Sequence, residues 1–447
     1  MTKPYSSSPF INIFRIPDLR KKVLITFFIL FIYRLGSYIP VPGIDINVLK
    51  TTFATAAGSG LLDYIDLFTG GGLRNFTIFA LSIMPYITAE IILQLLIAII
   101  PALEKMVKEG GEAGRKKIQL YARIGTIFIC AIQAFTLTKF IISQTARVED
   151  LILVRTGFFY IISIVTITTG TMFLIWLGDK INDYGIGNGI SLIIFAGIVA
   201  RFPAAIYELY KKVRYEGSNM VMLLIVVLMF ILVIVLVIYE QQGQRRIPLQ
   251  QAKRIVGRKV YQGQSTYIPL KLNPSGVIPI IFASTFLIFP SQLMQMLGTR
   301  SKFLTKLVYY ISPGTVSYLV IYSLLVIFFA YFYTQVILNP VEIAENLKKS
   351  GGYIPGIRPG KNTEDYLNNV ITRIILPGSI FLAFIAILPN IANEFFNLPT
   401  TFAYLMGGTS LLIVVGVALD TINQIESQLI MHHYDGFLSK GRIRGRR

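Results

Sequence analysis

The stretch Met220–Tyr239, MVMLLIVVLMFILVIVLVIY, decides the fold class. It carries no charge, and at a rise of about 1.5 Å per residue a helix of this length covers the hydrocarbon core of a bilayer, about 30 Å. Its apolar residues run without a break, so the dyad alternation of a membrane strand is missing. Working outward, runs of the same kind recur along the chain at Val23–Ile39, Phe76–Ile100, Ile118–Ile142, Phe158–Leu177, Ile190–Ala205, Val277–Leu297, Val316–Leu338, Ile374–Ile391 and Phe402–Ile425. With the first stretch they predict ten spans, of which the fifth and ninth are short and broken by Gly or Pro. The expected fold class is an all-α polytopic membrane protein.

Composition agrees. Of 447 residues, 54% are hydrophobic and only 15% charged, against about 25% charged in soluble domains. An even number of spans puts both termini on one side. With the odd-numbered loops outside, the inner segments hold 28 of the 42 Lys and Arg residues, as the positive-inside rule requires of a chain with cytoplasmic termini. The net charge of +19 is therefore first a topology signal, set beside anionic lipid. Arg20, Lys21 and Lys22 precede the first run as in a signal peptide, but Gly36-Ser37-Tyr38 leads into Pro40-Val41-Pro42 without a small-residue cleavage site, so a retained helix is expected. The single cysteine, Cys130, falls inside the third span and reads as an inert packed thiol.

Three segments depart from a plain helical bundle. Glu240–Leu272 carries seven basic residues and one acid, with apolar–polar alternation around Ile247–Leu249 and Val260–Ile268 that predicts a projecting hairpin. Asn339–Arg373 is rich in Gly and Pro turn signals. Two readings fit these inner loops: solvated charge beside lipid, or a docking face for a large acidic or RNA-rich partner. Gly58–Gly72, GSGLLDYIDLFTGGG, is apolar for barely two turns and breaks on three glycines. It is too short to cross, and either folds back into a water-lined cavity or lies on the outer leaflet as an amphipathic helix. A weak repeat places a Pro early in the second and seventh spans, SIMPYIT at Ser82–Thr88 and GVIPIIF at Gly276–Phe282, as in folds built from two five-helix halves.

Catalytic motifs do not emerge. Gly185-Ile186-Gly187-Asn188-Gly189 has the wrong spacing for a dinucleotide fingerprint and follows no strand, and Gly356–Lys361 lacks the first Gly and the Ser or Thr of a P-loop. No cofactor is expected, and the adjacent His432 and His433 read as surface residues, not a metal site. Arg34 sits near a span end and is expected to snorkel. Glu90 lies mid-span, either a proton relay or a neutral hydrogen-bonded group, with no obvious intramembrane Lys or His partner and Arg123 left open. A proton-driven transporter would show paired intramembrane charges; a poreless scaffold would not need the Gly-flanked segment.

The chain resembles the SecY family, the channel subunit of the bacterial Sec translocon, over nearly its whole length. The matching stretches are GSYIPVPGID (Gly36–Asp45), LFTGGGLRNFTIFALSIMPYI (Leu67–Ile87), GIGNGISLIIFAGI (Gly185–Ile198), GQRRIPLQQAKR (Gly243–Arg254), QSTYIPLKLNPSGVIPIIFAS (Gln264–Ser284), NLKKSGGYIPGIRPG (Asn346–Gly360) and GGTSLLIVVGVALD (Gly407–Asp420). The resemblance implies two pseudosymmetric five-helix halves, 1–205 and 206–447, around a central pore in the cytoplasmic (inner) membrane. It implies a passive protein-conducting channel, not an enzyme, that passes unfolded secretory polypeptides and releases transmembrane segments sideways into lipid. Carried over position by position, the pore ring is Ile83, Ile87, Ile190, Ile194, Ile281 and Ile413. Gly58–Gly72 becomes the plug, with Leu61, Leu62, Tyr64, Ile65, Leu67 and Phe68 as its apolar residues. Thr88, Gln94 and Ser284 fall at the lateral gate. Arg245, Arg246, Lys253, Arg254 and Arg358 become contacts for a SecA motor ATPase and the ribosome, and SecE-like and SecG-like small membrane subunits are implied as further partners, with secretory and membrane polypeptides bearing signal sequences as substrates. Glu90 stands where the family pattern has a small residue, and the loop KEGGEAGR at Lys108–Arg115 carries one more Gly than that pattern.

Overall fold

The structure is a computed structural model that describes residues 16–46, 48–49, 66, 68–144, 152, 154–215, 220–251, 254–256, 259–261, 265–297, 310, 315–396, 400–405 and 407–440. Two compact units emerge, one comprising Met1–Tyr207 and Ile413–Arg447, the other Glu208–Leu412.

The first unit opens with α1 (Pro17–Gly36), α2 (Met84–Ile99), α3 (Pro101–Glu109), α4 (Gly111–Gln144), α5 (Thr156–Tyr184) and α6 (Gly189–Val199), and α7 (Phe202–Tyr215) leads out of it. α2 and α3 meet at 98°. Pro101 is the cause: the residue before a proline is driven out of the helical region, and Ile100 is extended, at φ −98° and ψ 109°. The second span was expected to be helical from Phe76, but its helix starts at Met84. Phe76 and Ser82 adopt φ of +43° and +50°, which no helix accommodates, and Thr171 of α5 holds this irregular run by donating to the Ser82 carbonyl at 3.2 Å.

Packing around that run forms the unit's core. Leu73, Phe76 and Ala80 are buried with Cys130 and Ala134 of α4 and Phe159 of α5. Cys130 is fully enclosed, its Sγ 3.5 Å from Thr171 Oγ1. The Gly185–Gly189 stretch is a connector. Asn188 caps α6 by accepting from the N–H groups of Ile190 and Ser191, Thr26 Oγ1 accepts from Ile186 N–H at 3.0 Å, and Gln424 Oε1 accepts from Gly187 N–H at 2.9 Å.

In the second unit, α8 (Met220–Gln242) runs into β1 (Gln244–Gln251), β2 (Arg254–Val256), β3 (Lys259–Tyr261) and β4 (Ser265–Lys271). Then come α9 (Ile278–Leu297), α10 (Val316–Ile337), α11 (Pro340–Ser350), β5 (Gly352–Tyr353), α12 (Lys361–Phe396) and α13 (Thr400–Leu405); α14 (Gly408–Lys440) continues into the first unit. The expected hairpin is present: β1 pairs antiparallel with β4, from Gln244 opposite Lys271 to Gln250 opposite Ser265. Pro85 and Pro279 each fall at the second position of a helix, α2 and α9, where the missing N–H leaves no hydrogen bond unmade. That is the repeat visible in the sequence.

Among the described residues seven helical stretches are long and apolar enough to cross a membrane, or eight if the bent α2–α3 pair is one span. α1 and α9 lie at the two other expected spans but are not among these stretches, so the structure does not establish the count of ten. The ninth span, short in the sequence, sits within the 36 residues of α12, and the fifth continues past α6 into α7 to give one stretch, Gly189–Lys212. This is a multi-pass all-α membrane protein.

Candidate functional site

Four of the expected ring residues lie on two elements of the first unit. Ile83 immediately precedes α2 and is wholly enclosed. Its carbonyl accepts the N–H of Ile87 at 3.1 Å, so the pair keeps helical register and shares a face. Ile190 is the second residue of α6, and Ile83, Ile87 and Ile190 pack in one apolar cluster with Tyr33, Phe79 and Leu174. Ile194, a turn beyond Ile190, is buried, as is Ile413 near the start of α14. Ile281 lies on α9 of the second unit, half-buried, its carbonyl accepting from Ser284 Oγ at 2.9 Å.

Of the expected plug residues, Leu61, Leu62, Tyr64, Ile65 and Leu67 lie outside the described residues; Phe68 is buried. The chain after it forms a dense polar joint. The Asp66 carboxylate is fully buried and ion-paired with Arg201, just past α6, and with Arg74 at 3.5 Å. Asp66 Oδ1 also accepts from Arg74 N–H and Thr69 Oγ1–H, both at 3.2 Å. Arg34 of α1, expected to snorkel, instead turns onto this joint: Nη1 donates to the Gly70 carbonyl at 2.8 Å and Nη2 to the Tyr38 hydroxyl at 2.7 Å. Close approach needs glycine on both sides. Gly70 has φ +64°, and a Cβ on it would lie 3.1 Å from the Gly197 Cα of α6.

At the expected gate positions, Thr88 Oγ1 donates to the Met84 carbonyl of its own helix at 3.0 Å, as Ser284 does on α9. Gln94 is half-buried, and its Oε1 has no hydrogen-bond partner among the described residues. Glu90 does not pair with Arg123. The Arg123 guanidinium donates to Asp179 of α5 at 2.7 Å, and Glu90 is half-buried on α2.

The basic loops are joined within the second unit. β5, from the loop after α11, pairs with the end of β1, Gln250 opposite Tyr353 and Gln251 opposite Gly352, and the Tyr353 hydroxyl donates to Gln250 Oε1 at 3.2 Å. Beneath, Ile247, Leu249 and Leu270 of the hairpin are buried with Ile354 and Leu367. Arg245 and Arg246 are exposed, Arg246 lying 4.8 Å over the Tyr267 ring. Arg358 is exposed on a turn between Gly356 (φ +82°) and Gly360 (φ +106°), and its carbonyl accepts from Thr363 Oγ1–H at 3.0 Å. Arg254 lies on β2 opposite Tyr261. Lys253 and the side chains of His432 and His433 lie outside the described set.

Sequence reasoning missed Asp66, Arg201 and Asp179 as partners. An acid just ahead of Thr69-Gly70-Gly71-Gly72, and a basic residue closing an apolar run, were the available signals.

Comparison with known proteins gives one consistent result. The family profile described as SecY matches residues 77–422. The "Protein translocase subunit SecY" of Thermotoga maritima is 45% identical over 445 residues, covering 98% of this chain and 99% of the relative. That of Thermus thermophilus is 45% identical over 433 residues, 97% and 98% of the two chains. Among solved structures, one described as "The structure of a protein conducting channel" superposes with a TM-score of 0.65 at 20% identity, covering 95% of this chain and 98% of its own. "Sec61 in the Canine ribosome-channel complex from the endoplasmic reticulum" gives 0.62 at 19% identity, with 95% and 98% coverage.

Proposed function

The chain belongs to the SecY family, and from that premise we propose how it works as a protein-conducting channel. Translocation of unfolded polypeptides is its function. The observation that carries this reading is the full-length likeness to named translocase subunits, with aliphatic residues at the matching positions of α2, α6, α9 and α14. Apolar flexible side chains can close around any polypeptide sequence, while a narrow dry constriction resists water and ions. Ile83, Ile87, Ile190, Ile194, Ile281 and Ile413 are the proposed ring. The segment 58–72 is the proposed plug, and Thr88, Gln94 and Ser284 lie at the proposed lateral exit toward lipid. The halves 1–205 and 206–447 are the proposed symmetric pair.

The proposed setting is the bacterial cytoplasmic membrane with both termini inside, supported by the basic bias of the inner segments. On that side the β1–β4 hairpin, β5 and the Arg358 turn present exposed arginines that suit carboxylate or phosphate partners. A motor ATPase resembling SecA and the ribosome are the proposed occupants, and small SecE-like and SecG-like subunits the proposed membrane partners. Energy comes from the docked machine.

Vesicles reconstituted with the purified complex, motor and ATP are expected to carry a signal-bearing preprotein into a protease-protected space. Equal protection in vesicles lacking this chain would sink the reading.

A further inference from the structure

Glu90 is the one acid inside the expected second span, and nothing in the channel reading uses it. Residues 83, 87, 90 and 94 recur at intervals of four, three and four, so Glu90 and Gln94 share the helix face of the proposed ring residues Ile83 and Ile87. At 1.5 Å per residue, Glu90 stands about 10 Å along α2 from Ile83. That direction leads to the bend between α2 and α3, the cytoplasmic and therefore entry side in the proposed orientation.

Both groups on this face are acceptors that lack a donor. Glu90 is half-buried, and its carboxylate makes no hydrogen bond or ion pair among the described residues. Gln94 Oε1 is buried and equally without a donor among them. Cations on the neighbouring elements are already committed. A Cβ on Gly125 would lie 3.7 Å from that of Ala89, so α4 passes close to this turn, yet its Arg123 donates to Asp179 at 2.7 Å. Lys180 of α5 lies over the Trp176 and Tyr184 rings and 4.0 Å from Asp183.

Two acceptors one helical turn apart, with Cβ atoms about 5–6 Å from each other, suit a single ammonium or guanidinium, which carries several donors and no acceptor. A carboxylate within a span is costly until a countercharge reaches it, and the packing here supplies none. We propose that Glu90, with Gln94 beside it, is a specificity-determining site that takes a Lys or Arg side chain of the entering polypeptide. Signal-bearing segments place such residues directly ahead of their apolar run. Held at Glu90, that basic lead stays on the entry side while the apolar run meets Ile83 and Ile87. The inference rests on the channel reading above and adds a charge preference to it.

The test measures transport into vesicles holding the complex, motor and ATP, with three preproteins that differ only in carrying Lys, Gln or Glu ahead of the apolar run of the signal. The motor is the same in every arm, so the change between channel variants is what is read. Glu90→Gln is expected to keep transport of the Gln-led substrate and to cut the preference for the Lys-led one about tenfold, the usual weight of a hydrogen bond to a charged group. Glu90→Lys should shift the preference toward the Glu-led substrate. Glu90→Asp keeps the charge and should keep the preference, and it serves if Glu90→Lys fails to insert. A purely structural Glu90 would change transport of all three substrates in proportion; that result, or an unchanged preference in Glu90→Gln, would overturn the site. Wild-type vesicles that carry none of the three would instead overturn the channel reading, so the two failures stay distinct.

Discussion

Arg358 shows how a single side chain can be judged by its setting. It stands exposed between two glycines of positive φ, its turn anchored from below by buried Ile354 and by Thr363. Reversing its charge disturbs no packing, so Arg358→Glu is expected to insert and fold normally. Loss of a desolvated charge pair costs about 2–5 kcal/mol, so motor affinity should fall roughly 30-fold or more. Vesicle binding and transport assays on the same preparation check this, and normal transport would return the arginine to the lipid-facing reading. Gly197 is the opposite case, decided by space and not charge. Gly197→Val would drive its side chain into the Phe68 carbonyl and the Tyr33 hydroxyl, and overpacking of this kind costs about 1–3 kcal/mol. A lowered thermal midpoint in detergent is the expected readout.

At the scale of elements, apolar runs translated directly into helices because transfer of a side chain into lipid is a local property. Met220–Tyr239 became α8 with little change of bounds. What the sequence hid was non-local. The irregular run ahead of α2 is held by Thr171 reaching the Ser82 carbonyl, and the Arg123–Asp179 pair joins α4 to α5, a pairing that the residues around Glu90 do not disclose. Two-residue β5 has no periodicity to read and exists because β1 offers it an edge. Asn188, read in the sequence only within a rejected nucleotide fingerprint, is the cap of α6. Asn188→Ala removes the acceptor for the Ile190 and Ser191 N–H groups and is expected to cost about 1 kcal/mol. Thermal unfolding of the purified complex measures it; an unchanged midpoint would mean another acceptor replaces the cap.

For the molecule as a whole, the proposed orientation rests on charge, since cytoplasmic loops retain Lys and Arg. Cysteines placed at Gly263, outside the described residues, and at exposed Ser350 should react with an impermeant reagent only from the cytoplasmic face. Labelling from outside in intact cells would overturn the ten-span arrangement. The family was legible in the sequence because seven motifs recur in order, whereas Leu61, Leu62, Tyr64, Ile65 and Leu67 of the proposed plug lie outside the described residues. The pairing of β5 with β1 carries one more consequence, for interchange between relatives. Because a strand from the loop after α11 completes the sheet begun after α8, the two loops share a register and a buried underside and are expected to behave as one module on exchange. Grafting the hairpin of a relative without its companion loop should misalign Gln250 against Tyr353 and depress transport, while grafting both together should restore it. If the single graft performs as well as the double, the loops vary independently and the module does not exist.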